Sequence, residues 1–354
     1  MSAAGSVGGQ ASSAPDSGGS RTESGSSSSA AGRAPALPAG APPRIALIGY
    51  GEVGQILAAD LKAAGVDDVV IWDRLFPISS SAPSRAAESA KALTAASMGE
   101  AVTGRTLIIS AVTAANCVPA AREAAGAIAR QAIYFDLNSV APQTKRTAAA
   151  VIETGGGRYV EAAVMSPIAP KRLASPMLIG GPHAAAFEPM ARTIGFTGIR
   201  VFDQAVGRAS AAKMCRSVMI KGLEALLAES LLAARRHGVE RTVLESLRDL
   251  FPNEDWERIA AYMISRSLEH GRRRAEEMRE AAQAVAEAGI DPLMSLACAA
   301  RQEWAASRRS THTPAAFAEL LDAVLAAHEA ENRQTTENPE AAENRQTTEN
   351  REPA

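Results

Sequence analysis

Three glycines, placed where a buried strand should turn into a helix, set the tightest limit on what this chain can fold into. They are Gly49, Gly51 and Gly54 of the run Arg44-Ile-Ala-Leu-Ile-Gly-Tyr-Gly-Glu-Val-Gly54. The residues before Gly49 are mostly apolar, as a central parallel strand requires, and Val53, Ile56, Leu57 and Leu61 then recur at helical spacing. Each glycine has a separate task in that setting. Gly49 takes the tight turn, Gly51 lets the backbone approach a pyrophosphate, and Gly54 lets the helix pack closely on the strand. Tyr50, Glu52 and Val53 lie between them, on a helix N-terminus whose unpaired N–H groups and positive dipole end favour an anion.

A second apolar stretch, residues 68–73, ends in Asp73, at about the distance from the glycines expected of an acceptor for a ribose 2′-hydroxyl. A carboxylate there repels the 2′-phosphate of NADP, by about 4 kcal/mol for unit charges ~4 Å apart at an effective dielectric of ~20. That favours NAD. Arg74, just after the strand, can instead fold over a 2′-phosphate with help from Arg85, so NADP stays open.

The ends of the 354-residue chain read differently from its middle. Residues 1–43 are rich in Ser, Gly, Ala and Pro, with few large apolar side chains to offset ordering entropy, and are expected to be a disordered leader. They carry no apolar core or basic start of a secretory signal. Ala-Glu-Asn-Arg-Gln-Thr-Thr-Glu-Asn occurs at 330–338 and again at 342–350, so residues 328–354 are expected to be a disordered polar repeat tail. No apolar run is long enough to span a bilayer. With a net charge of −2, scattered cations and few aromatics, nothing marks a nucleic-acid surface. Cys117, Cys215 and Cys298 are far apart and form no metal-ligand spacing, and the five histidines do not cluster, so no metal site is expected and a reducing cytoplasm suits the chain.

Between the ends, short apolar runs at 106–112, 132–138, 159–165, 177–180 and 199–202 alternate with Ala-rich helical stretches at 114–129, 141–154 and 183–195. Alternation of this kind predicts a doubly wound, mostly parallel α/β sheet over residues 44–206. From Gly207 the strand signal stops, and helical periodicity to about residue 327 predicts an all-helical second domain over 207–327.

The run Gly207-Arg-Ala-Ser-Ala-Ala-Lys213-Met-Cys-Arg-Ser217 opens a long helix that Gly238 should end. Lys213, Ser217, Lys221 and Glu224 fall at steps of four, four and three, on one face. One explanation is a solvated flank with Lys221 paired to Glu224. The other is that the first turns face a nicotinamide cleft, where burial and the dipole both disfavour charged Lys213 and move it toward acid/base competence. A second helix is expected over 269–288, with His270, Arg273, Arg274 and Glu277 on about one face. It is either a carboxylate-holding group or an exposed basic face paired to neighbouring glutamates.

These residues resemble the β-hydroxyacid dehydrogenases, the superfamily that includes 3-hydroxyisobutyrate and 6-phosphogluconate dehydrogenases. The resemblance covers residues 44–327: a G-x-G-x-x-G Rossmann domain, a Gly207-x-Ala209-x-x-x-Lys213 approach to the family's catalytic lysine, and a helical domain behind it. Two positions depart from the pattern. Ser217 stands where the family usually has asparagine, and Glu161-Ala-Ala-Val-Met165-Ser166-Pro167 replaces the usual Asp-x-Pro-Val-Ser-Gly-Gly. The wording Lys213-Met-Cys-Arg-Ser217 with His270-x-x-Arg273-Arg274-x-x-Glu277-Met278 is similar to a branch whose C-terminal domain has no assigned function.

The resemblance implies an NAD(P)-dependent oxidoreductase of small hydroxy acids, acting as a homodimer. Lys213 is then the general acid/base, the nicotinamide lies near Val112, Thr113 and Asn138, and Ser166 and Ser217 position the reacting oxygen. Lys221, His270, Arg273 and Arg274 are further candidates for substrate contact. Imine reductases share this plan but commonly replace the lysine, and a non-catalytic dinucleotide-binding role is the remaining alternative.

Overall fold

The computed structural model describes residues 43–249, 252, 254–308 and 317–337. The expected leader, apart from Pro43, and the tail beyond Glu337 lie outside these residues. Seven strands, β1 (Ile45–Ile48), β2 (Val69–Trp72), β3 (Leu107–Ser110), β4 (Ile133–Asp136), β5 (Arg158–Val164), β6 (Met177–Gly180) and β7 (Ile199–Asp203), form one sheet in the order β2-β1-β3-β4-β5-β6-β7. The first five are parallel. β6 runs antiparallel to β5, and β7 runs parallel to β6. β5 is shared lengthwise: its residues 158–161 pair with β4, and 161–164 pair with β6.

Strands such as Ile45–Ile48 read as unbroken apolar runs because both faces of the sheet are covered. Seven helices lie in the connections between the strands: α1 (Glu52–Ala63), α2 (Ala82–Ser89), α3 (Met98–Val102), α4 (Cys117–Ala125), α5 (Pro142–Thr154), α6 (Ile168–Lys171) and α7 (Ala184–Thr193). Ile45, Leu47 and Phe135 pack against Leu57 and Leu61 of α1 and Phe187 of α7. Ala46, Ile48 and Tyr134 face the other way, onto Ala121 and Ala124 of α4 and Ala148 and Ile152 of α5. This is the doubly wound α/β sheet that the alternation predicts.

Residues 82–102 carry no element in the sequence expectation, yet they form α2 and α3. Each starts on a serine cap: Ser81 Oγ accepts from the Ser84 N–H at 3.2 Å, and Ser97 Oγ accepts from the Glu100 N–H at 3.1 Å.

After β7 come α8 (Arg208–His237), α9 (Glu240–Ser246), α10 (Trp256–Glu287), α11 (Leu293–Ala306) and α12 (Phe317–Glu337), and no strand follows Asp203 among the described residues. Gly238 ends α8 with φ 68°, the left-handed cap expected of it. The helix expected over 269–288 is only the second half of α10, which kinks at His270 (φ −123°, ψ 16°). One residue on, a Cβ on Gly271 would sit 2.4 Å from the Gln302 carbonyl oxygen, so α10 and α11 meet there backbone to backbone.

The tail expectation needs correction at its start. α12 continues through Glu337, across most of the first repeat copy. Leu321 and Val324 are buried with Leu231, Ile264 and Leu268, and the His328 ring meets Trp304 edge-on at 5.5 Å.

Candidate functional site

The glycine loop has the form its sequence predicts. Gly49 takes φ 94°, and a Cβ on it would lie 2.4 Å from the Ala111 carbonyl oxygen. A Cβ on Gly54 would lie 2.0 Å from the Gly49 oxygen, whereas nothing comes within 4 Å of one on Gly51. Gly51 therefore leaves open space at the N-terminus of α1, which no side chain caps. Those features fit a dinucleotide diphosphate, laid along Tyr50, Glu52 and Val53.

Asp73 is nearly buried and braces this loop. Its Oδ2 accepts from the Tyr50 N–H at 2.7 Å and its Oδ1 from the Leu75 N–H at 2.8 Å. Arg74 donates to Asn116 Oδ1 at 2.6 Å, tying the end of β2 to the loop after β3. Asn116 in turn donates to Thr113 Oγ1 at 2.7 Å.

The loops after β3 and β4 are joined through Asn138. Its Oδ1 accepts from the Val112 N–H at 2.7 Å, its Nδ2 donates to Ser110 Oγ at 3.1 Å, and its own N–H donates to Asp136 Oδ1 at 2.8 Å. The Asn138 side chain thus shapes the expected nicotinamide end from inside. Beneath it lies an ion pair with no counterpart in the sequence expectation. Lys145 and Asp136 are 1% and 0% exposed, with Nζ 2.9 Å from Oδ1 and 3.0 Å from the Asp136 carbonyl oxygen. Tyr159 and Cys117 also donate to Asp136 Oδ2. Every lone-pair direction of this buried carboxylate is answered, which is the condition for such a pair to be tolerated.

Glu161 on β5 is fully buried and receives the first turn of α8. Its Oε1 accepts from the N–H groups of Gly207 at 2.8 Å and Ala209 at 3.2 Å, and its Oε2 from Ser210 at 3.4 Å. Ser210 Oγ donates to the Val140 carbonyl oxygen, and Gly207, at φ 97°, makes the turn into the helix. Gly180 faces Glu161 across the sheet, and a Cβ there would come 2.7 Å from Oε1. Burial raises the Glu161 carboxyl pKa, against the pull of Lys145 and the three amides.

Lys213 lies less than two turns on, half-buried, with no hydrogen-bond or ion-pair partner among the described residues. Burial lowers its pKa to about 8, Glu277 works in the opposite sense, and Lys221, Lys145 and Arg273 add to the lowering. The helix dipole expected to assist is met by the Glu161 carboxylate, so burial is the leading cause.

The polar stripe is not a solvated flank: Ser217, Lys221 and Glu224 are buried. Lys221 pairs with Glu277 of α10 rather than with Glu224, and its Nζ lies 3.3 Å from Ser217 Oγ. Arg273 also reaches Glu277, at 3.1 Å, and burial, which would raise the Glu277 pKa, is outweighed by Lys221 and Arg273, so the group is held low. Two cations thus hold one carboxylate. The remaining candidates make other contacts. Arg274 is buried on Glu224 at 2.5 Å, with Gln302 donating to the same oxygen at 3.3 Å. His270, at the kink, lies 3.4 Å from Glu269, and Ser166 Oγ donates to the Pro167 carbonyl oxygen at 3.2 Å. No group of three or more metal-ligating side chains occurs among the described residues.

The fold and site define a two-part dinucleotide-binding protein of the hydroxyacid dehydrogenase plan. Residues 44–207 match the NAD binding domain of 6-phosphogluconate dehydrogenase, and residues 234–305 match a domain of unknown function, DUF1932. The chain belongs to the family that joins these two domains. Its relatives include a conserved hypothetical protein from Sinorhizobium meliloti 1021, 32% identical, with 81% of this chain and 97% of that one covered at a TM-score of 0.66. The conserved protein MTH1747, of unknown function and structurally similar to 3-hydroxyacid dehydrogenases, is 34% identical over 74% of this chain and 96% of its own, with a TM-score of 0.60. An uncharacterized 28.5 kDa protein of Methanothermus fervidus is 27% identical over 251 residues, 71% of this chain and 94% of that protein. The fold is also that of Mycobacterium tuberculosis 3-hydroxyisobutyrate dehydrogenase, at 20% identity and a TM-score of 0.60 over 79% of this chain and 98% of that one.

Proposed function

We propose that this protein is an NAD(P)-dependent oxidoreductase interconverting a small hydroxy acid and its oxo acid, with Lys213 as general acid and base. The observation that carries the proposal is Lys213 itself: a half-buried amine with no ion-pair partner among the described residues and a pKa of about 8. Such a group changes protonation near neutral pH, as reversible proton transfer requires. The glycine loop and Asp73 hold the dinucleotide, and Asp73 favours NAD over NADP. Bound nicotinamide supplies hydride chemistry. Lys213 Nζ takes the hydroxyl proton in oxidation and returns it in reduction. Ser166 and Ser217 orient the oxygen, and Lys221 with Arg273 offers positive charge to the acid group.

The same proposal includes a homodimer in the cytoplasm. Met219 and Leu226 on α8, with Leu293, Met294 and Leu296 on α11, are large apolar side chains at least half exposed, the kind of surface a second copy covers. The cysteines Cys117, Cys215 and Cys298 are all free, as in a reducing compartment.

The test follows nicotinamide absorbance across short 2- and 3-hydroxy acids, hydroxy amino acids and sugar acids, each with NAD and NADP, on wild type and Lys213→Met. The expected result is turnover of one substrate class that disappears in Lys213→Met while NADH binding persists. Near-normal turnover in the variant would remove Lys213 from its role, and failure of the wild type to bind either dinucleotide would remove the proposal as a whole.

A further inference from the structure

The two halves of the molecule hold each other through helix N-termini. Glu161, from the sheet, accepts the Gly207, Ala209 and Ser210 N–H groups that open α8. In return Glu280, from α10, accepts the Ala141 N–H at 2.7 Å, and Glu287 accepts the Gln143 N–H at 3.0 Å. Ala141 caps α5 and offers no side-chain cap of its own, so those amides would otherwise lack an acceptor. Arg146 adds an ion pair to Glu287 at 3.3 Å.

α10 also carries Glu277, one turn before Glu280, on the Lys221 and Arg273 cations beside Lys213. A single helix therefore touches both the lysine's surroundings and the loop that runs from Asn138 to α5. On the sheet side, Glu161 pairs in register with Asp136, the residue that fixes Asn138. Two of the routes between Lys213 and Asn138 pass through a carboxylate sitting on a helix N-terminus of the opposite half, and the Ser210 hydroxyl on the Val140 carbonyl oxygen adds a direct one.

We propose that Glu161 and Glu280 are positioning residues, a reciprocal clamp that sets Lys213 of α8 against the Asn138–Ala141 loop. The functional weight of the clamp rests on the acid/base role assigned to Lys213. Its physical content does not. Glu161 gains three charge-assisted bonds and Glu280 one, each with a favourable dipole, only while the halves stay docked. Misplacement of a reacting group by ~1 Å is worth about 100-fold in rate.

The deciding experiment uses the full chain with Glu280→Gln and Glu280→Ala, since Glu280 is only half-buried and its loss should leave the fold intact. Lys213 is titrated by NMR through isotope-labelled methyl groups on its amine, assigned with Lys213→Met, and amide exchange is followed over residues 138–145 and 207–213. In Glu280→Ala the Ala141 amide is expected to exchange about tenfold faster or more. Lys213, released into water, should titrate above its value of about 8, toward 10.5. Glu280→Gln keeps an acceptor oxygen and should remain near wild type.

An unchanged Lys213 titration in Glu280→Ala overturns the proposal, because Glu280 then holds only α5. A Lys213 pKa that moves equally in both variants also overturns it, since that marks a charge effect without movement. Glu161→Ala should raise exchange at Gly207 and Ala209 in the same way, and if that buried variant does not fold the Glu280 pair still decides. A wild type that binds no NADH while Lys213 responds as expected would sink the oxidoreductase reading and leave the clamp standing.

Discussion

Replacing Lys213 by methionine should make the protein more stable at neutral pH. Burial lowers the Lys213 pKa from 10.5 to about 8. A lysine whose pKa falls on folding costs stability wherever the unfolded chain holds the proton more firmly. The sign follows directly. Below the folded value both states are protonated and the whole cost is present; between the two values the unfolded state binds more protons, so stability rises with pH; above the unfolded value the cost is gone. At about 1.36 kcal/mol per pKa unit, the cost is about 3 kcal/mol near pH 7 and under about 1 kcal/mol near pH 10. Methionine has similar length and no charge, so Lys213→Met should recover most of that difference. Urea unfolding of both proteins near pH 7 and near pH 10 is the assay. The expected outcome is a variant with the higher midpoint at pH 7 and an advantage that shrinks by pH 10. A variant that is less stable at pH 7, or whose advantage does not depend on pH, refutes the claim that Lys213 is held partly desolvated for chemistry.

Removing the Glu277 charge with Glu277→Gln takes away the one influence that raises the Lys213 pKa. The rising limb of the pH–rate profile for oxidation should therefore move to lower pH, and a shift to higher pH would contradict the arrangement. Gly54→Ala would place a Cβ 2.0 Å from the rigid Gly49 carbonyl. NADH binding, read by fluorescence titration, should weaken at least tenfold, and unaltered affinity would show that the loop does not carry the diphosphate. Asp73→Ser should lower the preference for NAD over NADP, measured as the ratio of kcat/KM values; a ratio that stays fixed would remove Asp73 from cofactor choice. Gly271→Ala drives a methyl into the Gln302 carbonyl at 2.4 Å. It should cost about 1–3 kcal/mol in urea unfolding, and a neutral result would mean that α10 and α11 can part freely.

The parts of the molecule legible in sequence are those whose physics is local. Gly49, Gly51 and Gly54 each answer a constraint set within a few residues, and Lys213, Ser217, Lys221 and Glu224 share a face by helical arithmetic alone. Pairing across elements is another matter. Lys221 meets Glu277 and not Glu224 because the second half of α10, redirected at His270, crosses α8 there, and no periodicity records a kink.

Two signals were present without entering the expectation. Ser97 and Glu100 have the capping-box spacing, with Ser97 Oγ accepting the Glu100 N–H and Glu100 Oε2 accepting the Ala96 N–H just before the cap at 2.7 Å, and so announce α3. Lys145 stands at helical spacing from Ala148, Ala149 and Ile152, on the face of α5 that must be buried. A cation on an apolar face implies a buried acid opposite it, here Asp136. Glu161 gives no such hint, because an acid within a strand reads as an outward side chain until the start of α8 is placed against it.

The shared lengthwise pairing of β5 limits how this architecture can vary. Because β6 pairs only with residues 161–164 of β5 and β7 only with β6, their reversed direction still ends them level with the carboxyl edge of β4, where α8 begins. Sliding β6 by one residue would turn its apolar side chains to the wrong face, so the nearest register the core accepts is two residues away. At 3.3–3.4 Å per residue such a slip carries β6 about 7 Å along β5, with β7 and the start of α8 in train. The position of Lys213 against the carboxyl edge of the sheet can thus shift with the strands only in coarse steps, and finer adjustment falls to side chains.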